Sequence, residues 1–319
     1  MRLLKQWCVV VACCVCMFHT AASQEWRRTD ALDRGSNLVG WVHGEKLNWR
    51  PFLLPGVRQS EFKLLSLDHT TKARSQLMRV PVGWAQPTGY HSADLEIFLL
   101  EGGISIGDKR LGKYSYAYFP AGTAYGPIST EYGATILQWW AGVPDFTTSS
   151  QSIPGANARK VVIWPYGSTP SMSPSEFPKF SDRTPWANSP VRLTLIRRDE
   201  SSGQMVWIAA IPGGGKAMSG EGEDPLWTSS PSWQEGMLLA GDMTIGECLA
   251  PGEVVGSYRP GGYFFRPGNM RHGGRSLYSE TYSLWLFRSG KSHWVDYFNE
   301  CDNPKRASKP ATSKEATGQ

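Results

Sequence analysis

Residues 83–103 read GWAQPTGYHSADLEIFLLEGG, and residues 120–126 read PAGTAYG. Within the first stretch, residues 96–100 and 104–106 are apolar runs on either side of Gly102-Gly103, a pattern that predicts a β-hairpin. Similar short alternating runs bounded by turn residues recur along the chain, at residues 62–67 and 76–81 among others. These patterns predict a protein made mainly of short strands.

The same order of elements occurs twice. Residues 96–107, EIFLLEGGISIG, align without a gap with residues 235–246, EGMLLAGDMTIG, and PAGTAYG aligns with PGNMRHG at residues 267–273. A chain of 319 residues is long enough for two domains, each with its own core. We therefore expect an N-terminal domain over 27–150, a linker or edge segment over 151–189, and a C-terminal domain over 190–300.

The spacing of these motifs resembles that of the cupin superfamily. The residues that carry the resemblance are Gly83-(5)-Gly89-(1)-His91-(4)-Glu96-(6)-Gly103 and then Pro120-(1)-Gly122-(2)-Tyr125. With both copies aligned, the chain is similar in particular to ChrR-like cupins and a related bicupin family of unknown function, also through residues 48–51 (NWRP) and 63–65 (KLL). The resemblance implies an all-β fold of two tandem cupin jelly-roll β-barrel domains.

The resemblance also implies a metal site of three histidines and one glutamate, suited to Fe, Mn, Ni, Cu or Zn. In the first copy His91 and Glu96 stand in register, Tyr125 replaces the last histidine, and Gly89 replaces the first. We predict His91, Glu96 and Tyr125 as candidate metal ligands, with a hydrogen-bonded polar cluster as the alternative. Tyr125 and Asp94 are the candidate acid/base groups, and the alternative for Asp94 is a residue at the barrel rim.

The second copy retains less of the site. Glu235 and His272 match ligand positions and form a weaker candidate pair, while Ser230 stands where the first copy has its histidine. Trp227 and Trp233 lie in the loop before Glu235, where an aromatic side chain can stack on a ring or a sugar face. Together with Ser230 they form a predicted ligand pocket, and packing in the barrel core is the alternative for both tryptophans.

Residues 1–22 predict a cleaved secretory signal peptide, because two basic residues precede an apolar run too short to span a bilayer, followed by small residues. Lipoprotein anchoring at Cys13 is the alternative. The expected location is secreted or periplasmic. The predicted mature chain keeps only Cys248 and Cys301, whose pairing the spacing leaves open. Residues 301–319 are rich in Pro, Ser, Thr and Lys and predict a disordered tail.

The formal net charge is +5, of which two positive charges lie in the predicted signal peptide, so no nucleic-acid partner is expected. No later segment is apolar enough to predict a transmembrane helix. The predicted function is a secreted bicupin with degenerate metal sites that binds a small molecule in a barrel mouth. The alternatives are a metal-dependent oxygenase or isomerase/lyase using the N-terminal barrel, and a structural or interaction protein, including a homodimer. The cofactor is accordingly one divalent transition metal or none.

Overall fold

The structure is a computed structural model. It describes residues 33–35, 37–156, 159–178, 187–214, 226–249, 252–290 and 295–301. The predicted signal peptide, Cys13 and residues 302–319 of the predicted tail lie outside these residues. No helix in the described ranges combines the length and the apolar character needed to cross a bilayer.

The first half of the chain is built from short antiparallel strands. They are β1 (Val39–His43), β2 (Arg50–Phe52), β3 (Ser60–Leu67), β4 (Arg74–Val80), β5 (Ala85–Gln86), β6 (Gly89–Tyr90), β7 (Leu95–Gly102), β8 (Ile104–Ile106), β9 (Lys109–Leu111), β10 (Tyr116–Phe119), β11 (Ile128–Ser129), β12 (Ala134–Trp140), β13 (Thr147–Thr148) and β14 (Val162–Trp164). Short 3-10 helices occur at Gly44–Lys46 and Pro174–Glu176.

The second half repeats this organisation. Its strands are β15 (Arg192–Arg198), β16 (Met205–Pro212), β17 (Trp227–Ser229), β18 (Gln234–Gly241), β19 (Met243–Leu249), β20 (Gly252–Tyr258), β21 (Gly262–Arg266), β22 (His272–Tyr278), β23 (Tyr282–Ser289) and β24 (Asp296–Phe298). The all-β prediction is confirmed.

Each half closes two sheets around its own core. In the N-terminal barrel, a seven-stranded sheet of order β14-β10-β7-β12-β4-β3-β2 faces a four-stranded sheet of order β5-β11-β8-β9. The C-terminal barrel pairs a six-stranded sheet, β1-β21-β18-β23-β16-β15, with a five-stranded sheet, β20-β19-β22-β17-β24. Strand β14 comes from the predicted linker or edge segment and extends the N-terminal sheet.

The hairpins at the start of both repeats turn at equivalent glycines. Gly102 and Gly241 both have positive φ, at 71° and 81°. A Cβ at these positions would lie 2.2 Å from the Gly133 carbonyl oxygen and 1.7 Å from that of Tyr282. Only glycine satisfies both the left-handed backbone and this close approach, which explains why the alignment of the repeats runs through these residues without a gap.

The large sheets of the two barrels pack against each other through their outer faces. One apolar cluster combines Phe98 and Leu137 of the N-terminal barrel with Ile208, Met237 and Leu286 of the C-terminal barrel. Side chains alternate between the two faces of a strand, so strands β7, β12, β18 and β23 are buried on both sides. The barrels therefore meet through a buried apolar cluster, which lies between their separate cores, rather than at a solvated boundary.

Strand β1 lies in the C-terminal barrel although it precedes the N-terminal one in the sequence. Val39 pairs with Phe265, and His43 pairs with Gly262 of β21. The disulfide between Cys248 and Cys301 joins β19 to the end of the described chain, with a Cα–Cα distance of 5.4 Å. This bond resolves the pairing that the cysteine spacing leaves open.

Candidate functional site

His91 and Tyr125 meet inside the N-terminal barrel in a complete hydrogen-bond chain. The Gln86 amide donates to the Tyr125 hydroxyl at 3.1 Å, and that hydroxyl hydrogen-bonds His91 Nε2. The other ring nitrogen, Nδ1, contacts the Asp145 carbonyl oxygen. Because a carbonyl only accepts, Nδ1 carries the proton and Nε2 accepts from Tyr125. Both nitrogens of the His91 ring and the Tyr125 hydroxyl therefore have partners.

Burial fixes the protonation of both groups. It lowers the pKa of His91 from 6.5 to about 4, although the Asp145 carbonyl and carboxylate oppose the shift. Burial also raises the pKa of Tyr125 above its ordinary value. The imidazole and the phenol are therefore both neutral at physiological pH.

The interior around this chain is filled. Trp140 and Phe146 pack against the His91 ring with centroid distances of 4.6 and 5.4 Å, and the remaining cavity is about 20 Å³. That volume holds about one water molecule. At Gly89, the place of the first cupin histidine, a Cβ would lie 2.3 Å from both the Phe146 ring and the Thr147 carbonyl oxygen. No larger side chain fits there.

The structure places Glu96 on the opposite face of its strand from His91 and Tyr125. Leu95 and Ile97 face the N-terminal core, so Glu96 points outward into the interface between the barrels. Its carboxylate there accepts hydrogen bonds from Tyr116 and Arg288. The predicted set of His91, Glu96 and Tyr125 is thus not assembled in one site. Successive side chains of a strand lie on opposite faces of the sheet, so Glu96 faces away from the core that its neighbours Leu95 and Ile97 face.

Glu235 has the equivalent position in the C-terminal barrel. It is fully buried and accepts from Tyr263 at 2.6 Å and Ser75 at 2.5 Å, with Arg34 at 3.4 Å. Burial opposes its ionisation, but Arg34 and Arg288 hold the pKa of Glu235 below its ordinary value. Glu235 is therefore an ionised group of the interface, separated from its predicted partner His272.

One arginine connects the two glutamates. Arg288 Nε and Nη1 donate to Glu96 and Glu235, each at 2.8 Å. The guanidinium also lies 4.9 Å from the centroid of the Trp233 ring. Burial works against the charge of Arg288, yet the two carboxylates raise its pKa above the ordinary value. The cluster joins the two barrels, and all four carboxylate oxygens accept hydrogen bonds within it.

Asp94 lies at the rim of the N-terminal barrel. Its carboxylate accepts from both terminal nitrogens of Arg159, from the Tyr118 hydroxyl at 3.0 Å and from the Ala121 backbone N–H at 2.8 Å. These contacts occupy both oxygens and tie three segments together. The geometry favours the rim alternative for Asp94 over an acid/base group.

The residues present do not fit the metal that the fold implies. Both nitrogens of His91 are engaged, Glu96 lies across the sheet, and Gly89 has no room for a ligand. Within the ranges that the structure describes, no three His, Cys, Asp or Glu side chains form a metal-binding group. We therefore derive no reaction step through a metal.

The C-terminal barrel, in contrast, contains an open cavity of about 100 Å³. Its wall is mainly aromatic and aliphatic. Trp285 and Phe287 are stacked with a centroid distance of 5.5 Å, and Trp207 lies 5.4 Å from Phe287. An apolar cavity of this order can bind a molecule about the size of one aromatic ring.

A buried ion pair forms part of this wall. Arg266, which lines the cavity, donates from Nε to Glu247 at 2.9 Å, contacts the second Glu247 oxygen through Nη2, and donates from Nη1 to Gln234 at 2.9 Å. Burial raises the pKa of Glu247, and Arg266 opposes that rise. The two-pronged contact is the geometry of an ionised carboxylate with a guanidinium.

The predicted ligand pocket is partly assembled at this cavity. Ser230 and His272 line it, and Thr228 Oγ1 lies 3.1 Å from His272 Nε2. Trp227 is buried against Gly246 and Gly274 instead. Trp233 lies in the interface between the barrels, stacked on Phe265. Of the three predicted pocket residues, Ser230 is the one that lines the cavity.

Arg266, Glu247 and Gln234 were not among the site residues predicted from the sequence. The aligned repeats contain a signal for two of them, because Gln234 and Arg266 correspond to Leu95 and Phe119 of the first copy. Leu95 and Phe119 are core residues of the N-terminal barrel. These interior positions are polar in the second copy and apolar in the first, which indicates that the two barrel interiors have different functions.

Comparisons with known proteins agree with the fold. A family model described as a domain of unknown function (DUF4437) matches residues 42–163. A search of curated proteins finds no match. Among solved structures, a candidate dioxygenase from Nostoc punctiforme PCC 73102 is 20% identical with a TM-score of 0.65, covering 80% of this chain and 82% of that chain.

Two further solved structures are similar over most of the chain. Protein Ylba from E. coli is 15% identical with a TM-score of 0.51, covering 82% of this chain and 96% of that one. A deletion mutant of Bacillus subtilis oxalate decarboxylase is 12% identical with a TM-score of 0.51, covering 83% and 81%. These neighbours are cupin-family proteins, and at such identities the likeness concerns the fold alone. The prediction of two tandem cupin jelly-roll barrels is confirmed.

Proposed function

We propose that this chain is a small-molecule-binding bicupin whose binding site is the interior of the C-terminal barrel. The observation that carries the proposal is the difference between the two interiors. The N-terminal barrel retains about 20 Å³ around the satisfied His91 chain, whereas the C-terminal barrel retains about 100 Å³ lined by aromatic rings. A concave apolar cavity with a few polar groups is the usual form of a ligand site.

The N-terminal barrel has a supporting role in this proposal. Its large sheet covers the outer face of the C-terminal sheet through the shared apolar cluster and the glutamate–arginine contacts. Packing of this kind fixes the strands β18 and β23, whose inner faces form the cavity wall. A homodimer and the metal-dependent enzyme remain predictions, and among the described residues no contact in the barrel interiors favours the enzyme.

We also propose an extracytoplasmic location and a relationship to the ChrR-like cupins. The predicted signal peptide and the Cys248–Cys301 disulfide both support an oxidising compartment. For the relationship, the two segments that resemble that group contact each other, since Lys63 Nζ lies 4.7 Å from the Trp49 ring centroid. Secretion is tested by fractionating the source cells and sequencing the mature N-terminus.

The binding proposal is tested by filling the cavity. Ala209 lines it on β16, between Leu193 and Trp285 on the neighbouring strands. We expect the wild-type protein to bind toluene in saturation-transfer NMR and Ala209→Leu to weaken that binding at least about tenfold, because the added methyl groups occupy the ligand volume. Ala210→Leu, the same change on the opposite face of the strand, is the matched control and should bind as the wild type does. Equal toluene binding by both variants, or none by the wild type, would refute the proposal.

A further inference from the structure

The charge balance of the C-terminal cavity indicates which ligands it accepts. Among the described residues that line the cavity, Arg266 and His272 are those that can carry a positive charge. Arg266 is 2% exposed and its counter-charge, Glu247, is fully buried beside it. With His272 neutral, the cavity wall is therefore neutral as a whole.

Arg266 keeps donor capacity beyond its pair with Glu247. A guanidinium has five N–H groups, and the contacts to Glu247 and Gln234 use one from each nitrogen. Nη1 and Nη2 each have a second N–H. Arg266 Cζ lies over the Phe264 ring, 4.1 Å from the ring centroid, and this contact helps to fix the orientation of the guanidinium.

These contacts separate two kinds of ligand. A neutral carbonyl or amide oxygen can accept from a second N–H while the Glu247 pair stays intact. A carboxylate would add a negative charge next to Glu247 in a site that holds one positive charge, and a buried uncompensated charge is strongly unfavourable. An arginine in a pocket usually indicates an anionic ligand, but here its charge is already matched.

We propose that the C-terminal barrel selects neutral single-ring molecules with a hydrogen-bond acceptor, and discriminates against carboxylates, through the Arg266–Glu247 pair. The inference rests on the proposed function and specifies its ligand class. Trp207, Trp285 and Phe287 provide the faces and edges against which an aromatic ring packs. Arg266 provides the polar contact at one end.

Benzamide and benzoate test this selection, because they share a shape and differ in charge. At about pH 8, where an ordinary histidine is neutral, we expect wild-type protein to bind benzamide at least about tenfold more tightly than benzoate by calorimetric or NMR titration. Glu247→Gln keeps the shape of the pair but leaves Arg266 without a counter-charge. In that variant benzoate should bind at least about tenfold more tightly than it does to the wild type.

A second variant covers the case in which Glu247→Gln does not fold. Gln234→Leu removes only the Nη1 contact and should leave the preference for benzamide over benzoate in place. Wild-type protein that binds benzoate as well as benzamide, while toluene binds, would overturn the inference and leave the proposed function standing. Wild-type protein that does not bind toluene would overturn the proposed function itself. Benzoate binding unchanged in a folded Glu247→Gln variant would also overturn the inference.

Discussion

Glu96 and Glu235 occupy equivalent positions in the two repeats and accept hydrogen bonds from the same guanidinium, that of Arg288. Each also accepts from the equivalent tyrosine of its own repeat, Tyr116 for Glu96 and Tyr263 for Glu235. The carboxylate that aligns with the cupin metal-ligand position is thus used in both copies to join the barrels. Each glutamate also has an arginine of its own within 4 Å, Arg197 for Glu96 and Arg34 for Glu235, and Arg288 is the arginine that the two glutamates share.

Removing that arginine should destabilise the protein strongly. Arg288→Met leaves two buried carboxylates without their shared counter-charge, so we expect a loss of about 3–5 kcal/mol in the free energy of unfolding. Urea denaturation followed by tryptophan fluorescence measures it. Arg198→Met is the control, because the Arg198–Glu200 pair is exposed and 3.9 Å apart and should contribute less than about 1 kcal/mol. Similar losses in the two variants would contradict the assigned role of Arg288.

Acid should weaken the fold through His91 over a defined range. The pKa of His91 is about 4 in the folded state and ordinarily 6.5, because its ring is buried. Between these values the unfolded chain binds a proton that the folded protein does not, so stability is complete above about 6.5 and falls by roughly 3 kcal/mol as the pH drops to about 4. Protonation of Glu235 lowers the stability further at more acid pH, because the pKa of Glu235 lies below its ordinary value in the folded protein.

The measurement is the pH dependence of urea unfolding for wild type and His91→Gln. The variant should lose the His91 part of the slope between pH 6.5 and 4, while the contribution of His43, whose pKa burial also lowers, should remain. His69→Gln, which changes an exposed histidine, should keep the wild-type slope. A His91→Gln profile that parallels the wild type would show that this ring is protonated in the folded protein.

Metal content provides an independent check on the first barrel. Because both His91 nitrogens are engaged and Glu96 faces away, elemental analysis of the mature protein should find no transition metal whose retention depends on His91. His91→Ala and the control His272→Ala should match the wild type. About one equivalent of metal in the wild type that disappears only in His91→Ala would restore the metal-site hypothesis.

The disulfide should stabilise the fold by reducing the conformational entropy of the unfolded chain. Cys248 and Cys301 are 53 residues apart, and a crosslink closing a loop of that length stabilises by about 2–4 kcal/mol. The double variant Cys248→Ala/Cys301→Ala should unfold at correspondingly lower urea concentration. Thiol titration of the denatured wild type without reductant should find neither cysteine of the mature chain free, and two free thiols per chain would refute the bond.

Much of the fold could be predicted from sequence because its turns are chemically restrictive. Gly102 and Gly241 must both be glycine, so the hairpins they form fix the alignment of the repeats. The site was harder to predict. In β7 the residues on both faces are apolar, with Leu95 and Ile97 inside and Phe98 outside. Where both faces are buried, alternation no longer shows which face a glutamate occupies.

An exposed edge strand can pair with another chain, and strand β1 pairs with β21, which would otherwise be an edge strand of the C-terminal sheet. Strand β1 is the first of the described strands to be made, and the strand it covers, β21, is made near the end. During synthesis the second barrel can be completed only by recruiting residues that left the ribosome long before. A fragment starting after the first barrel would present β21 with unpaired backbone groups, which invite pairing between chains. Engineering that separates the two barrels must therefore provide a substitute for residues 39–43, which pair with β21.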